Sequence, residues 1–140
     1  MKAYVDTNIL VDLILSRKQF LENAQRVFAL GYTGDITLVV SALSFVNTVY
    51  LANKYKFPKD EVIDKLIQIT EFTEIADLRG ANIKDMLKSE WKDLEDATQH
   101  RCALESDADV IVTRNKKDFK DSIIPVITPQ ELFEKLSISF

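Results

Sequence analysis

The stretch Lys2-Ala3-Tyr4-Val5-Asp6-Thr7-Asn8-Ile9-Leu10 decides the fold class of this chain. Its apolar start predicts a buried strand that ends at Val5, and helical apolar spacing follows directly. The residues with that spacing are Ile9, Leu10, Leu13 and Ile14. In an open parallel sheet, ligands bind just beyond the carboxyl ends of the strands, so Asp6 is placed for chemistry. The alternative is that Asp6 only caps the helix, because Asp is a favoured N-cap residue.

Five apolar runs rich in Val, Ile and Thr recur along the chain and mostly lack the polar alternation of half-exposed strands. They are Ala3–Val5, Ile36–Val40, Phe72–Ile75, Val110–Thr113 and Ile123–Ile127. Segments with helical spacing lie between them. Alternating strands and helices predict a single α/β domain over residues 1–140 with a mostly parallel five-stranded sheet.

The composition describes an ordinary globular chain and limits its function. A chain of 140 residues, 46% hydrophobic and 29% charged, suits one domain with a real core. The formal net charge of −4 argues against a nonspecific binder of duplex DNA, which needs excess Lys and Arg. It does not exclude a nucleic-acid enzyme whose acids bind metal ions. Three glycines are too few for a Gly-rich phosphate loop.

The chain has no pattern typical of membrane insertion or secretion. No apolar run is long enough to span a bilayer, and the N-terminal residues lack the apolar region of a signal peptide. The single cysteine, Cys102, excludes an intrachain disulfide. We therefore expect a cytoplasmic protein without a membrane partner. Cys102 lies in an Ala-rich helical segment and is expected to be a small core residue.

Polar residues from four segments are expected at one edge of the sheet, because a helix that joins two parallel strands starts near their carboxyl ends. They are Asp6, Asn47, Asp96, Asn115 and Asp118. Each alone has an ordinary explanation, such as a helix cap or a solvated surface acid. Together, clustered carboxylates repel one another unless a cation is present. Mg²⁺ and Mn²⁺ take such oxygen ligands, and the lack of a positioned His or Cys disfavours zinc.

Four segments occur in the order and spacing of the PIN domain family. They are Val5–Leu10, Ser41–Ser44, Asp93–Ala97 and Ile111–Phe119. The chain therefore resembles this family over essentially its whole length. The resemblance implies a compact, three-layer α/β/α sandwich. It also implies an endoribonuclease that depends on Mg²⁺ or Mn²⁺, and for many small prokaryotic members the toxin of a toxin–antitoxin pair.

The resemblance also assigns roles to individual residues. The metal ligands of the family fall on Asp6, Asp96 and Asp118, and Asn115 takes a position of the late acidic pair. Asn47 stands where the family usually has Glu, so one carboxylate is missing. The two amides would be neutral ligands or would orient water. Thr7, Asn8 and Thr113 would fix the carboxylates by hydrogen bonds.

Partners follow from the same resemblance: single-stranded RNA as substrate, an antitoxin protein and a homodimer. The sequence adds apolar residues on one helix that would serve dimerisation or the core, namely Phe45, Tyr50 and Leu51. It also adds a basic stretch that would either hold the RNA backbone or form an ordinary solvated surface. That stretch is Arg114, Lys116, Lys117 and Lys120.

Two alternatives remain at this point. A catalytically weakened PIN-like protein that acts by binding RNA or protein is favoured by the amides at Asn47 and Asn115. An aspartyl-phosphate receiver domain also groups acids at the carboxyl ends of strands. It is disfavoured because Phe72–Ile75 ends without a matching acid and Pro125 lies where a Lys-bearing strand is needed.

Overall fold

The computed structural model describes residues 1–137. Its strands are β1 (Lys2–Val5), β2 (Thr37–Ser41), β3 (Glu74–Ala76), β4 (Val110–Val112) and β5 (Val126–Ile127). Its helices are α1 (Thr7–Ile14), α2 (Leu21–Tyr32), α3 (Ala42–Lys54), α4 (Lys59–Thr70), α5 (Gly80–Leu87), α6 (Leu94–Glu105) and α7 (Pro129–Lys135), with a 3₁₀ helix at Lys116–Phe119. No helix within residues 1–137 is long and apolar enough to cross a membrane.

The strands form one parallel sheet in the order β3-β2-β1-β4-β5. The central strand is β1, whose Tyr4 lies opposite Val39 of β2 and Ile111 of β4. β2 and β3 follow in turn on one side of β1, and β4 and β5 lie on its other side. This reversal leaves a crevice at the carboxyl ends of β1 and β4. The order differs from the 2-1-3-4-5 order of receiver domains, so that alternative is excluded.

Side chains of β1 alternate between two cores, one on each face of the sheet. Ala3 and Val5 enter a core formed mainly with α1, α2, α3, α4 and α7. Tyr4 enters a second core, where Cys102 of α6 and Phe119 of the 3₁₀ helix are buried. Helices therefore cover both faces, which confirms the predicted three-layer α/β/α sandwich. Cys102 is a small core residue, as expected from its Ala-rich surroundings.

Polar side chains cap the helices that begin at the carboxyl edge of the sheet. Asp6 caps α1, Ser41 caps α3 and Asp93 caps α6, each accepting hydrogen bonds from backbone N–H groups of the first turn. Helix ends thus place acidic and hydroxyl groups at this edge for structural reasons. The capping role considered for Asp6 is correct, Asp93 has the same role at α6, and both side chains remain beside the crevice.

The outer strands are shorter than the sequence predicts. The fifth begins only at Val126, because the Ser122 hydroxyl bonds to both the N–H and the C=O of Ile124 and turns the chain. Ile123 is 78% exposed there. The third strand is displaced to Glu74–Ala76, since Phe72 instead packs against the core. At both edge strands, local hydrogen bonds and side-chain burial decide the strand bounds more strongly than the β-propensity of the apolar residues does.

Candidate active site

Asp6 lies in the crevice between β1 and β4 and is 7% exposed. Its backbone N–H donates to the Val112 carbonyl at 3.0 Å, which extends the ladder between the two strands. Oδ1 accepts from the Thr7 N–H and Oδ2 from the hydroxyl of Thr113, each at 2.8 Å. The carboxylate is therefore held in one orientation with lone pairs left over.

A pocket of about 230 Å³ opens above Asp6. Its acidic lining comes from the end of β1, the start of α6 and the 3₁₀ helix: Asp6, Asp93, Glu95, Asp96 and Asp118. The structure thus brings together Asp6, Asp96 and Asp118, as the sequence predicts. Thr7, Asn8 and Arg17 line the same pocket.

Burial and mutual repulsion disfavour the ionised forms of the carboxyl groups in this pocket. Burial raises the pKa of Asp6 to about 6, and the charges of Glu95 and Asp118 add to the effect, against hydrogen bonds from Thr113 and Thr7 that lower it. Burial also raises the pKa of Asp96 to about 7, assisted by the charges of Asp93, Asp6, Asp118 and Glu95. A cation in the pocket would relieve both costs.

The donor chemistry of the pocket suits a hard divalent ion, because its acidic and amide groups offer oxygen. Asn8 Oδ1 is buried without a hydrogen-bond partner within residues 1–137, while its Nδ2 donates to the Thr113 hydroxyl at 3.4 Å. Across those residues, no three Asp, Glu, His or Cys side chains stand ready to hold an ion. The donors fit Mg²⁺ or Mn²⁺ in kind, in an arrangement more open than a preformed ion site.

Asn47 is connected to the pocket only indirectly, through a hydrogen bond to Glu95. Its Nδ2 donates to Glu95 Oε1 at 3.3 Å, and Glu95 lines the pocket whereas Asn47 does not. The backbone N–H groups of Glu95 and Asp96 are both held by the Asp93 carboxylate. Glu95 is a pocket acid that the sequence pattern did not predict. The available signals were its place beside Asp96 and the missing charge at Asn47.

Asn115 is exposed and its side chain does not line the pocket. Its backbone N–H donates to the Thr113 hydroxyl at 3.1 Å, and its side chain makes no capping bond to the 3₁₀ helix. The structure therefore joins four of the five candidate residues to the acidic pocket, directly or through Glu95. Asn115 contributes through its backbone, by fixing the threonine that holds Asp6.

A buried polar network lies beneath the pocket and was not expected. Gln99 of α6 donates from Nε2 to the Thr7 hydroxyl at 2.9 Å and accepts from the Tyr4 hydroxyl. Thr7 and Ser44 share a hydrogen bond of 2.6 Å between their hydroxyls. Burial raises the pKa of Tyr4 well above its usual 10, so it stays a neutral donor. The network ties α6 to α1 and α3 and so fixes the relative positions of the pocket acids.

The residues of the predicted basic stretch have different roles in the structure. Arg114 forms two hydrogen bonds with the fully buried Asp12, at 2.6 and 3.2 Å, and its guanidinium lies 3.8 Å from the centre of the Phe20 ring. Lys116 pairs with Glu131 at 3.1 Å. The charge of Arg114 therefore compensates a buried carboxylate, and its guanidinium is not part of an ordinary solvated surface.

Comparisons with known proteins agree with this architecture. A family model described as PIN domain matches residues 2–117. No match is found among curated proteins. One similar solved structure is VapBC2 from Rickettsia felis bound to a DNA fragment from their promoter, with 20% identity over 91% of this chain and 98% of that chain, and a TM-score of 0.63. Another is VapC20 of Mycobacterium tuberculosis, a Sarcin-Ricin loop cleaving toxin, with 14% identity over 78% and 86% of the two chains, and a TM-score of 0.61. At these identities the likeness is one of fold.

Proposed function

The chain belongs to the PIN domain family, and on that basis we propose that it is a metal-dependent endoribonuclease that cleaves single-stranded RNA. We further propose that it is the toxin component of a type II toxin–antitoxin pair. One observation carries the nuclease proposal: three acids from distant segments, Asp6, Asp96 and Asp118, line one pocket at the reversal point of a parallel sheet.

In this proposal Asp6, Asp96 and Asp118 hold one or two Mg²⁺ or Mn²⁺ ions. A bound ion of this kind supplies positive charge that activates water for attack on phosphorus and stabilises the charge that develops on the phosphate. Thr7 and Thr113 keep the Asp6 carboxylate in one orientation. Asn8 lines the pocket, and its buried amide oxygen has no partner within residues 1–137. Asn47 orients Glu95.

The proposed assembly is a single domain over residues 1–140 that forms a homodimer and binds an antitoxin protein in the cytoplasm. The apolar surface available for association differs from the sequence expectation. Phe45 and Leu51 pack against the core, whereas Tyr50 is 66% exposed. Val46 is 65% exposed on the same helix, α3. Tyr50 also lines a largely apolar hollow between α3 and α4, which supports a protein contact there.

A second candidate function is RNA or protein binding without cleavage. Two observations favour it: Asn47 removes a carboxylate, and within residues 1–137 no three acids are arranged around a common ion position. Only the nuclease candidate predicts that RNA is cleaved when Mn²⁺ is added.

The test uses metal-free protein incubated with a mixed RNA pool, with and without Mn²⁺. We expect cleavage only with Mn²⁺ and none by the Asp6→Asn variant. Thermal unfolding gives an independent result: Mn²⁺ at about 100 times its dissociation constant stabilises the native state by about 2.7 kcal/mol. Asp6→Asn should lose this stabilisation. Intact RNA with every metal, together with RNA binding, would favour the second candidate.

A further inference from the structure

A second hollow of about 170 Å³ adjoins the acidic pocket and shares three residues with it, Asp93, Asp96 and Asp118. Its remaining wall is different in character. It consists of one tryptophan, Trp91, with three lysines and one further acid: Lys92, Lys117, Lys120 and Asp121. A strand whose phosphate lies at Asp96 and Asp118 would have its neighbouring nucleotide within reach of this wall.

Trp91 is a fixed, half-buried aromatic wall. Its ring stacks on His100 with the ring centres 4.9 Å apart, and it meets Phe119 edge-on at 6.1 Å. His100 is itself held, because its Nε2 accepts a hydrogen bond from the Ile123 N–H at 3.2 Å. Burial lowers the pKa of His100, which keeps this nitrogen free to accept. The uncovered part of Trp91 therefore meets the hollow with little freedom to move.

The three lysines of the hollow are exposed. Within residues 1–137, the side chains of Lys92, Lys117 and Lys120 form no ion pair and no hydrogen bond. Lys116, one residue earlier than Lys117, is by contrast paired with Glu131. Free ammonium groups beside an aromatic wall are the combination that binds single-stranded nucleic acid: phosphates contact the lysines, and a base stacks on the ring.

We propose that this hollow is a nucleotide subsite for single-stranded RNA, in which one base flanking the cleaved phosphate packs on Trp91 and the phosphate backbone contacts Lys117 and Lys120. The inference rests on the proposed nuclease function, because the subsite shares Asp96 and Asp118 with the candidate active site. The hollow is smaller than drug-sized pockets, which run from about 300 to 1,000 Å³, and so suits one flat group. A paired base cannot leave its stack to enter it without the cost of unpairing.

Trp91 is the only tryptophan of the chain, so intrinsic tryptophan fluorescence reports on this subsite alone. The probe is a short single-stranded 2′-O-methyl RNA of mixed sequence, titrated into the wild-type protein with Mn²⁺. Overall binding is followed in parallel by the anisotropy of a labelled copy. We expect the RNA to quench the fluorescence in step with binding, because a stacked base contacts the ring. An abasic strand of the same length should bind through its phosphates and leave the fluorescence unchanged.

Variants separate the base contact from the phosphate contacts. Trp91→Ala should weaken RNA binding roughly tenfold, and Trp91→Phe, which keeps a flat ring against His100, should weaken it less. If Trp91→Ala fails to fold, the Phe variant and the wild-type quenching still decide the matter. A plot of log affinity against log salt concentration has a negative slope. Lys117→Ala and Lys120→Ala should each make that slope shallower by about 0.7, because each removes one phosphate contact. Lys65→Ala, an exposed lysine on α4, is the matched control and should change neither quantity.

The outcomes distinguish failure of the subsite from failure of the proposed function. Anisotropy that shows RNA binding without any change in tryptophan fluorescence would overturn the subsite and leave the nuclease proposal standing. An equal response to the abasic strand would overturn the base contact. A protein that binds no RNA at all would overturn both proposals.

Discussion

Asn47 donates a hydrogen bond from Nδ2 to Oε1 of Glu95, 3.3 Å away, and so joins α3 to the first turn of α6 at the acidic pocket. This contact changes the meaning of the amide at position 47. The residue does not simply remove a charge from the pocket. It orients a carboxylate that α6 supplies from the other side, next to Asp96.

The first prediction concerns Glu95. If its carboxylate serves the proposed metal site, Glu95→Gln should weaken Mn²⁺ binding by roughly tenfold or more, as loss of a supporting carboxylate does in metal sites. Calorimetric titration of metal-free protein measures this directly. Glu90→Gln is the matched control, since Glu90 is exposed and does not line the pocket. Unchanged affinity in Glu95→Gln would remove Glu95 from the proposed site.

The second prediction is a dependence of stability on pH in metal-free protein. The folded-state pKa values of Asp6 and Asp96, about 6 and about 7, lie above the ordinary value of 3.8. Their contribution to stability is therefore fully present below about pH 4 and is lost as the pH rises to about 7. The loss from Asp6 is roughly 3 kcal/mol at about 1.4 kcal/mol per pKa unit. Denaturant unfolding across this range, in the presence of a chelator, measures it.

The matching control for the pH dependence is Asp6→Asn, which cannot ionise at that position. Its free energy of unfolding should change less with pH than that of the wild type. Added Mn²⁺ should restore wild-type stability near pH 8, because the ion favours the ionised acids. Identical pH profiles for wild type and Asp6→Asn would contradict the raised pKa of Asp6, whose main cause is burial.

The third prediction is that Asp96 is required for activity but lowers the stability of the metal-free protein. Asp96→Asn should abolish Mn²⁺-dependent RNA cleavage and yet stabilise metal-free protein near pH 8, by about 1 to 2 kcal/mol after allowing for solvent around a partly exposed side chain. Asn is acceptable near a helix start, so α6 should still form. Cleavage assays and thermal unfolding on the same preparations test both parts. Asp64→Asn on α4 should change neither, and a variant that cleaves at the wild-type rate would refute the role of Asp96.

The fourth prediction is that Arg114 serves stability. Among the ion pairs of residues 1–137, Arg114→Ala leaves the fully buried Asp12 with Arg17, whose nitrogen lies 3.7 Å from it. The expected loss is about 3 to 5 kcal/mol in the free energy of unfolding. Lys116→Ala breaks only a solvent-exposed pair with Glu131 and should cost far less, because solvent screens that pair. A loss from Arg114→Ala no larger than that from Lys116→Ala would show that the buried pair is unimportant.

Much of the fold could be predicted from periodicity along the chain. Alternating apolar runs and helical segments predicted a parallel five-stranded sheet, and the structure contains it. The edge strands were the least accurate part, because side-chain hydrogen bonds such as those of Ser122 to Ile124 decide where an edge strand begins. Such bonds leave no periodic pattern in the sequence.

The sequence by itself determined that Asp6, Asp96 and Asp118 share one edge, because the direction of parallel strands and of their connecting helices follows from the order of elements. Only the tertiary structure decided which neighbouring side chains accompany them. Glu95 enters the pocket while Asn115 stays outside, and Arg114 is bound to Asp12, 102 positions away in the chain. These outcomes depend on the directions of individual side chains across packed elements, and spacing along one element does not specify those directions.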